Sequence, residues 1–489
     1  MRSLTHLGCV LLVNSLLFHC APMVDIDGGD DVSLGRDGRV SETGGDVAVS
    51  LGDALVGQDA VTGDLDADVT TQPDAQPGDV AGSRDAGASE AGPAPVLGQV
   101  LYPSDRAHSP MTESVRAALR AIARRGAGQS EQMFSKVGDS QTVYDSGYMV
   151  CFASGSVNLA GRDALRATID HFRAGSVGGS DPYVRRSLAA TVGWSASAPL
   201  QGSPSPIDRE LDSARPRFTL IMFGSNDSQV RDLVRYGENL LDLADRAMAR
   251  GAIPIFSSPP PRDDSAVADQ WIPWYAHVAR AVAQARQVPF VDVERALRAV
   301  PGHGLGGDNL HVNRSPRGAC QFAPADMTYG QNVRNLLSLE ALDRARMALS
   351  AAGTAPDATA ASVRGAGTST APFVTTSLPF SDVRDTSTFG ESLRARYDCS
   401  MANEGGREVH YQVVLARPTR VRAMVIDRGN VDVDLHLLNA ADPSRCVARD
   451  DRTLVRDLPA GTHTFVVDTF VGGDGVARAG EFLFVAHAE

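Results

Sequence analysis

Three short segments hold residues whose types and order could carry out nucleophilic catalysis. Gly138-Asp139-Ser140 ends one apolar stretch, Gly224-Ser225-Asn226-Asp227 ends another, and Asp308-Asn309-Leu310-His311 follows them. A serine hydroxyl is a weak nucleophile at neutral pH until a base takes its proton. An imidazole does this well when a carboxylate holds its other ring nitrogen. An amide such as that of Asn226 can donate to the oxyanion as it develops, worth about 2.7–4 kcal/mol in the transition state. Together these are the parts of a serine esterase. Each motif also has a plainer reading: Ser140 as a helix cap, Asn226 as a turn residue, and Asp308 with His311 as a solvated turn or half of a metal site. His303 is nearby, but no third ligand stands beside it. The ordered set favours chemistry, because two of the three segments lie at the ends of predicted strands.

The elements around these segments alternate. Helical spacing runs over 111–124, 162–172, 230–250, 266–286 and 332–349. Strand signals run over 132–137, 218–223, 253–256 and 288–293, and the run Phe218 to Phe223 is apolar but for Thr219, as expected of a buried parallel strand. Residues 96–350 therefore read as an α/β region with a doubly wound parallel sheet. Ligands of such sheets sit at the carboxyl ends of the strands, where Ser140 and Asn226 fall. Residues 351–376 are rich in Ala, Gly, Thr and Ser and read as a linker. Over 377–489 the helical period fades. Strand signals at 409–415, 420–427, 431–438 and 463–469, separated by Gly-rich turns, suggest an antiparallel β-sandwich.

Residues 1–20 read as an export signal, with Arg2 ahead of a mostly apolar stretch too short to span a membrane. Cys20 at its end is a candidate for lipidation; plain secretion is the alternative. Residues 21–95 are rich in Asp, Gly, Ala and Val and carry a net charge of −13, equal to that of the whole chain. They read as a solvated acidic tether, not a run of calcium loops. Lys136 is the only lysine, and the arginines are scattered. No nucleic-acid role is expected, and membrane contact is expected only through a lipid anchor. The pattern places the protein outside the cytoplasm, on the cell envelope or free. In an exported chain the remaining cysteines suggest one disulfide per folded region, Cys151 with Cys320 and Cys399 with Cys446, free thiols being the alternative.

At 138–140, 224–227 and 308–311 the middle region resembles the SGNH hydrolases, also called GDSL esterases. The resemblance implies an SGNH-like doubly wound α/β fold, with Ser140 as nucleophile and His311 as general base oriented by Asp308. It also implies an oxyanion hole from the Ser140 N–H, a glycine N–H and the Asn226 amide, with Gly138, Asp139, Gly224 and Asp227 supporting the motifs. The glycine is best assigned to Gly193, with Gly155 and Gly161 as rivals. Trp194 beside it lines the substrate site or belongs to the core. Gln141 stands where many relatives carry Leu, and the substitution is not expected to touch the chemistry. The stretch 431–438, then Cys446, Asp450-Asp451, 458–462 and 466–468, resembles the bacterial pre-peptidase C-terminal β-sandwich. The activity these resemblances imply is ester hydrolysis through an acyl-enzyme, without metal or organic cofactor, on an ester substrate such as an acylated polysaccharide. An O-acyltransferase using the same residues and a non-catalytic glycan-binding surface lipoprotein are the alternatives.

Overall fold

Four parallel strands in the order β1-β2-β3-β4 form the central sheet of the first half of the chain. The computed structural model describes residues 99–153, 156–350, 353–358 and 361–489. The export signal, the acidic tether, Cys20 and Gly155 lie outside the described residues. Helix α1 (Glu113–Arg125) precedes β1 (Ser130–Gly138). Then come α2 (Arg166–Arg173), α3 (Pro206–Ala214), β2 (Pro216–Met222), α4 (Asp227–Val230) and α5 (Leu233–Ala249). β3 (Ile253–Ser257), α6 (Ala266–Arg286), β4 (Phe290–Val291), α7 (Val293–Arg298) and α8 (Gly330–Leu349) complete this part. Every residue of β2 is buried, which explains its largely apolar sequence.

The winding reverses at β1. After β1 the chain makes a single parallel bridge, Gly138 to Ala190, on the edge of β1 away from β2, before returning to form β2. Strand connections thus leave β1 in both directions. The crevice at such a reversal is where an α/β sheet binds its ligands, and Ser140 stands just past it.

Two expectations shift. The helix expected over 230–250 is two helices, because Arg231 adopts a left-handed conformation (φ 62°) and Asp232 caps α5 by accepting from the Arg235 N–H at 2.9 Å. The strand expected over 288–293 shrinks to Phe290–Val291, because Asp292 caps α7 through the Arg295 N–H at 3.2 Å and Val293 already belongs to the helix.

The second half forms two packed sheets. One has the order β10-β9-β12-β7-β5 and the other β11-β8-β13-β6. The strands are β5 (Phe373–Thr375), β6 (Phe380–Asp385), β7 (Val409–Leu415), β8 (Thr419–Asp427), β9 (Val433–Leu438), β10 (Cys446–Asp450), β11 (Thr453–Leu458), β12 (Gly461–Thr469) and β13 (Glu481–Ala488). All pair antiparallel except β5 with β7. β5 falls within the stretch that composition marks as linker. Both expected disulfides are formed, Cys151–Cys320 and Cys399–Cys446. Among the described residues no helix is long and apolar enough to cross a membrane.

The sandwich is fused to the α/β half. Val421, Ala423 and Val425 of β8 face the inter-sheet core, while Met424 and Ile426 join the core of the α/β half. β8 and β13 pack on α5 and α6. At Gly237 of α5 a Cβ would stand 2.4 Å from Ile426 Cδ1, so the helix approaches the sheet as closely as glycine allows. A charged network seals the edge. The buried Arg286 holds Asp245 at 2.6 Å and Glu481 at 2.7 Å, and Arg428 reaches Asp245 at 2.7 Å and Asp242 at 2.6 Å. Arg286→Met leaves Asp245 and Glu481, each a quarter or less exposed, to Arg428 alone, and we expect it to cost about 2 kcal/mol in chemical denaturation, less than a pair broken with no other cation in reach.

Candidate active site

The three motifs meet. β1 runs into Gly138, where a Cβ would lie 2.6 Å from the Met222 carbonyl oxygen of β2, so only glycine fits between the strand ends. Asp139 is fully buried, and its Oδ1 accepts from the Gln141 N–H at 3.0 Å, closing the turn that carries Ser140. Ser140 Oγ lies 2.8 Å from His311 Nε2, and His311 Nδ1 lies 2.6 Å from Asp308 Oδ2.

The Asp308–His311 segment is a tight loop. The Gly306 N–H donates to the His311 carbonyl at 2.7 Å, and the Asn309 N–H to the Gly306 carbonyl at 3.0 Å. Asp308 Oδ1 accepts from the N–H groups of Leu310 and His311 at 3.1 and 3.0 Å. Burial works against the Asp308 charge, but the bonds from the His311 ring and from these amides outweigh it and hold the carboxyl below its usual range. A charged Asp308 beside Nδ1 fixes the proton there and leaves Nε2 to accept from Ser140. His303 is drawn away to Asp263, 2.8 Å from Nδ1.

The second motif forms the adjoining wall. Gly224 has φ 122°, and a Cβ there would meet Pro259 Cγ at 2.7 Å. Asp227 is buried beneath it, accepting from the Gly224 N–H at 3.1 Å and the Ala196 N–H at 3.0 Å. Those two bonds join the Asn226 loop to the Gly193 loop. Asn226 Nδ2 donates one hydrogen to the Trp194 carbonyl at 2.9 Å, which orients the amide and leaves its second N–H available. Trp194 is half-buried against the core. Gly193 is exposed with φ 79°, and the nearby Thr191 N–H donates to the Gly138 carbonyl at 3.1 Å, which brings this loop to the end of β1. Gly161 lies instead on the loop tied to Cys320 and Phe322 through Asn158. Neither the Ser140 N–H nor the Gly193 N–H has an acceptor among the described residues. Two free amides and a half-used carboxamide are the donor set that an oxyanion needs.

Gln141 departs from the expectation that it would not matter here. Its Nε2 donates to the Leu310 carbonyl at 2.8 Å, from within the core, and so ties the serine turn to the histidine loop. A leucine could not make this bond. The Gln141 carbonyl in turn accepts from the fully buried Arg334, whose guanidinium lies 3.7 Å over the Tyr148 ring. Arg262 does similar work on the other side: Nη1 donates to the Ser225 carbonyl at 2.6 Å and Nε pairs with Asp264 Oδ1 at 3.0 Å, while the Asp264 N–H donates to Asn309. Gln141, Arg262 and Arg334 carry no motif signature, so only the fold reveals them.

Residues 137–315 match the GDSL-like Lipase/Acylhydrolase family, a stretch that contains all three motifs but covers well under half of the chain. That stretch carries a GDSL/SGNH-type hydrolase domain. No curated protein matches the chain. Among solved structures, an acetyl xylan esterase from Geobacillus stearothermophilus is 16% identical, with a TM-score of 0.30, covering 44% of this chain and 95% of its own. A GDSL-like lipase from Bacteroides thetaiotaomicron is 14% identical with a TM-score of 0.28, covering 47% and 99%. A lipolytic protein of the G-D-S-L family from Desulfitobacterium hafniense is 14% identical with a TM-score of 0.26, covering 43% and 99%.

Two measurements probe this arrangement. Gln141→Leu should keep the circular dichroism spectrum of the parent while kcat for an ester falls about tenfold or more, as small misplacements of a reacting pair do. Burial raises the carboxyl of Asp139 from its ordinary value to about 6. Its folded-state value therefore exceeds the unfolded one, and the native state takes up a proton as pH falls from 6 toward 4. This group thus favours the folded state more at pH 4 than at pH 7. The stability of Asp139→Asn relative to the parent, measured in denaturant, should rise as pH increases from 4 to 7.

Proposed function

We propose that this protein is a serine esterase acting through an acyl-enzyme, with Ser140 as nucleophile, His311 as general base and acid, and Asp308 as the carboxylate that orients it. The observation that carries this reading is the unbroken chain from Ser140 Oγ through both His311 ring nitrogens to Asp308. His311 Nε2 takes the hydroxyl proton as Oγ attacks the ester carbonyl. The oxyanion is met by the N–H groups of Ser140 and Gly193 and by the free Asn226 N–H. The alcohol leaves with the proton from His311, and water then repeats the cycle in reverse.

The site is open: the His311 side chain is 41% exposed and Asp308 53%. An open site suits a short acyl group on a bulky alcohol, and we assign an acetylated extracellular glycan as the substrate class. From the export signal, the tether and Cys20 we infer an enzyme of the cell envelope or the cell exterior. We read the C-terminal sandwich as a domain of the pre-peptidase C-terminal type that accompanies secreted hydrolases.

Residues 96–489 should hydrolyse p-nitrophenyl acetate. Ser140→Ala and His311→Ala should each lower kcat by about four orders of magnitude or more with folding intact. Undiminished hydrolysis by Ser140→Ala would remove Ser140 from the mechanism.

A further inference from the structure

Part of the outer face of the five-stranded sheet carries charged and titratable side chains that are closed off from water. Val433, Leu435 and Leu437 of β9 point into the inter-sheet core, so alternation turns Asp434 and His436 to the other face. A strap over 388–407 covers them. Tyr397 of the strap stacks on the His436 ring with centroids 3.9 Å apart, and its hydroxyl stands 2.8 Å from Glu408 and from Asp468. The Cys399–Cys446 disulfide fastens the strap to β10.

Beneath the strap Glu404, Asp434 and His436 converge, each at most 1% exposed, with one donor atom apiece lying within 4.8 Å of the others. His436 Nε2 is 3.8 Å from Glu404 Oε1. Among the described residues no donor reaches either oxygen of Glu404, Oδ2 of Asp434 or Nε2 of His436, and the one cation in contact is Arg449, 2.8 Å from the other oxygen of Asp434. The neighbouring group of Glu391, Glu408 and His410 differs, because there His410 Nε2 meets Glu408 Oε1 at 2.9 Å. Buried acceptors left without donors are costly, and two facing carboxylates more so.

We propose that Glu404, Asp434 Oδ2 and His436 Nε2 hold a structural divalent transition-metal ion, Zn2+ by the character of its donors, that ties the strap to the sheet. One imidazole nitrogen with two carboxylates is a donor set that Zn2+ accepts at about 2.0–2.2 Å. Ca2+ and Mg2+ take oxygen ligands, so the imidazole argues against them. Tetrahedral donors at those lengths stand about 3.3–3.6 Å apart; His436 Nε2 and Glu404 Oε1 are 3.8 Å apart and Asp434 lies within 4.8 Å of both, so small side-chain adjustments would close the three donors on an ion. The ion supplies the positive charge that one arginine cannot. Its role is independent of the chemistry at Ser140. The competing arrangement is a proton shared between Glu404 and Asp434.

The test uses the exported chain prepared with Zn2+, its metal content, and its cleavage by trypsin after the exposed Arg396 and Arg407 of the strap. We expect about one Zn2+ per chain. With free Zn2+ at 100 times its Kd, cleavage at those two bonds should be about a hundredfold slower than in EDTA, since the ion binds only the closed strap. Glu404→Gln and His436→Gln should lose the ion and the response to EDTA. Absence of bound metal in the unmutated chain, with a strap equally resistant in EDTA, would overturn the proposal in favour of the shared proton, whether or not the variants fold. Full retention of metal by His436→Gln, or a response to Ca2+ alone, would overturn the imidazole ligation.

Discussion

The bond between Ser140 Oγ and His311 Nε2 joins residues 171 positions apart, and much of the α/β half can be understood as what holds those two atoms 2.8 Å from each other. The serine turn is fixed by Gly138 between two strand ends and by Asp139 beneath it. The histidine loop is fixed by its own internal hydrogen bonds and by Asp308. Beside the Ser140–His311 bond itself, Gln141 joins the two by donating to the Leu310 carbonyl. A hydrogen bond contributes about 1 kcal/mol to stability, yet here it sets a position, and the chemistry of a reacting pair is steeper in distance than folding is.

Buried carboxylates recur as organisers. Asp139 and Asp227 lie under the two loops that carry Ser140 and Asn226, and burial raises both to about 6. Asp139 accepts the Gln141 N–H, and Asp227 accepts those of Gly224 and Ala196. Their cost in desolvation is offset by fixed loop geometry, and Asp227 in particular links the Asn226 loop to the Gly193 loop. This explains why an aspartate stands beside Ser140 in one motif and beside Asn226 in the other.

The sandwich stiffens the same framework from behind. Helices α5 and α6 lie between the parallel sheet and β8 and β13, so one layer of helices serves two cores. Ile426, Met424, Leu483 and Val485 are buried by contact with that layer. The apolar residues on both faces of β8 follow from this: one face meets the partner sheet, the other meets the helices. A strand with a solvated face would have alternated polar and apolar residues.

Local pattern in the chain carried a good deal. Runs such as Phe218 to Phe223 announce a buried strand because β2 has no exposed face, and helical spacing marks α1 and α2 because each buries one face only. The motifs were legible because glycine and aspartate are forced there by sterics and by turn hydrogen bonding, constraints that act over a few residues. The ends of elements were less so: the break at Arg231 and the early start of α7 depend on single capping aspartates that a periodicity cannot see. What the sequence by itself determined was the alternating α/β order, the residue types able to form a triad and the cysteines to be paired. Only the tertiary structure decided that Gln141, Arg262 and Arg334 brace the site, that Gly193 and not Gly161 lies beside β1, and that Glu404, Asp434 and His436 meet under a strap. These depend on contacts between residues far apart in the chain, and no local pattern records which side chain a distant loop will bring within 3 Å.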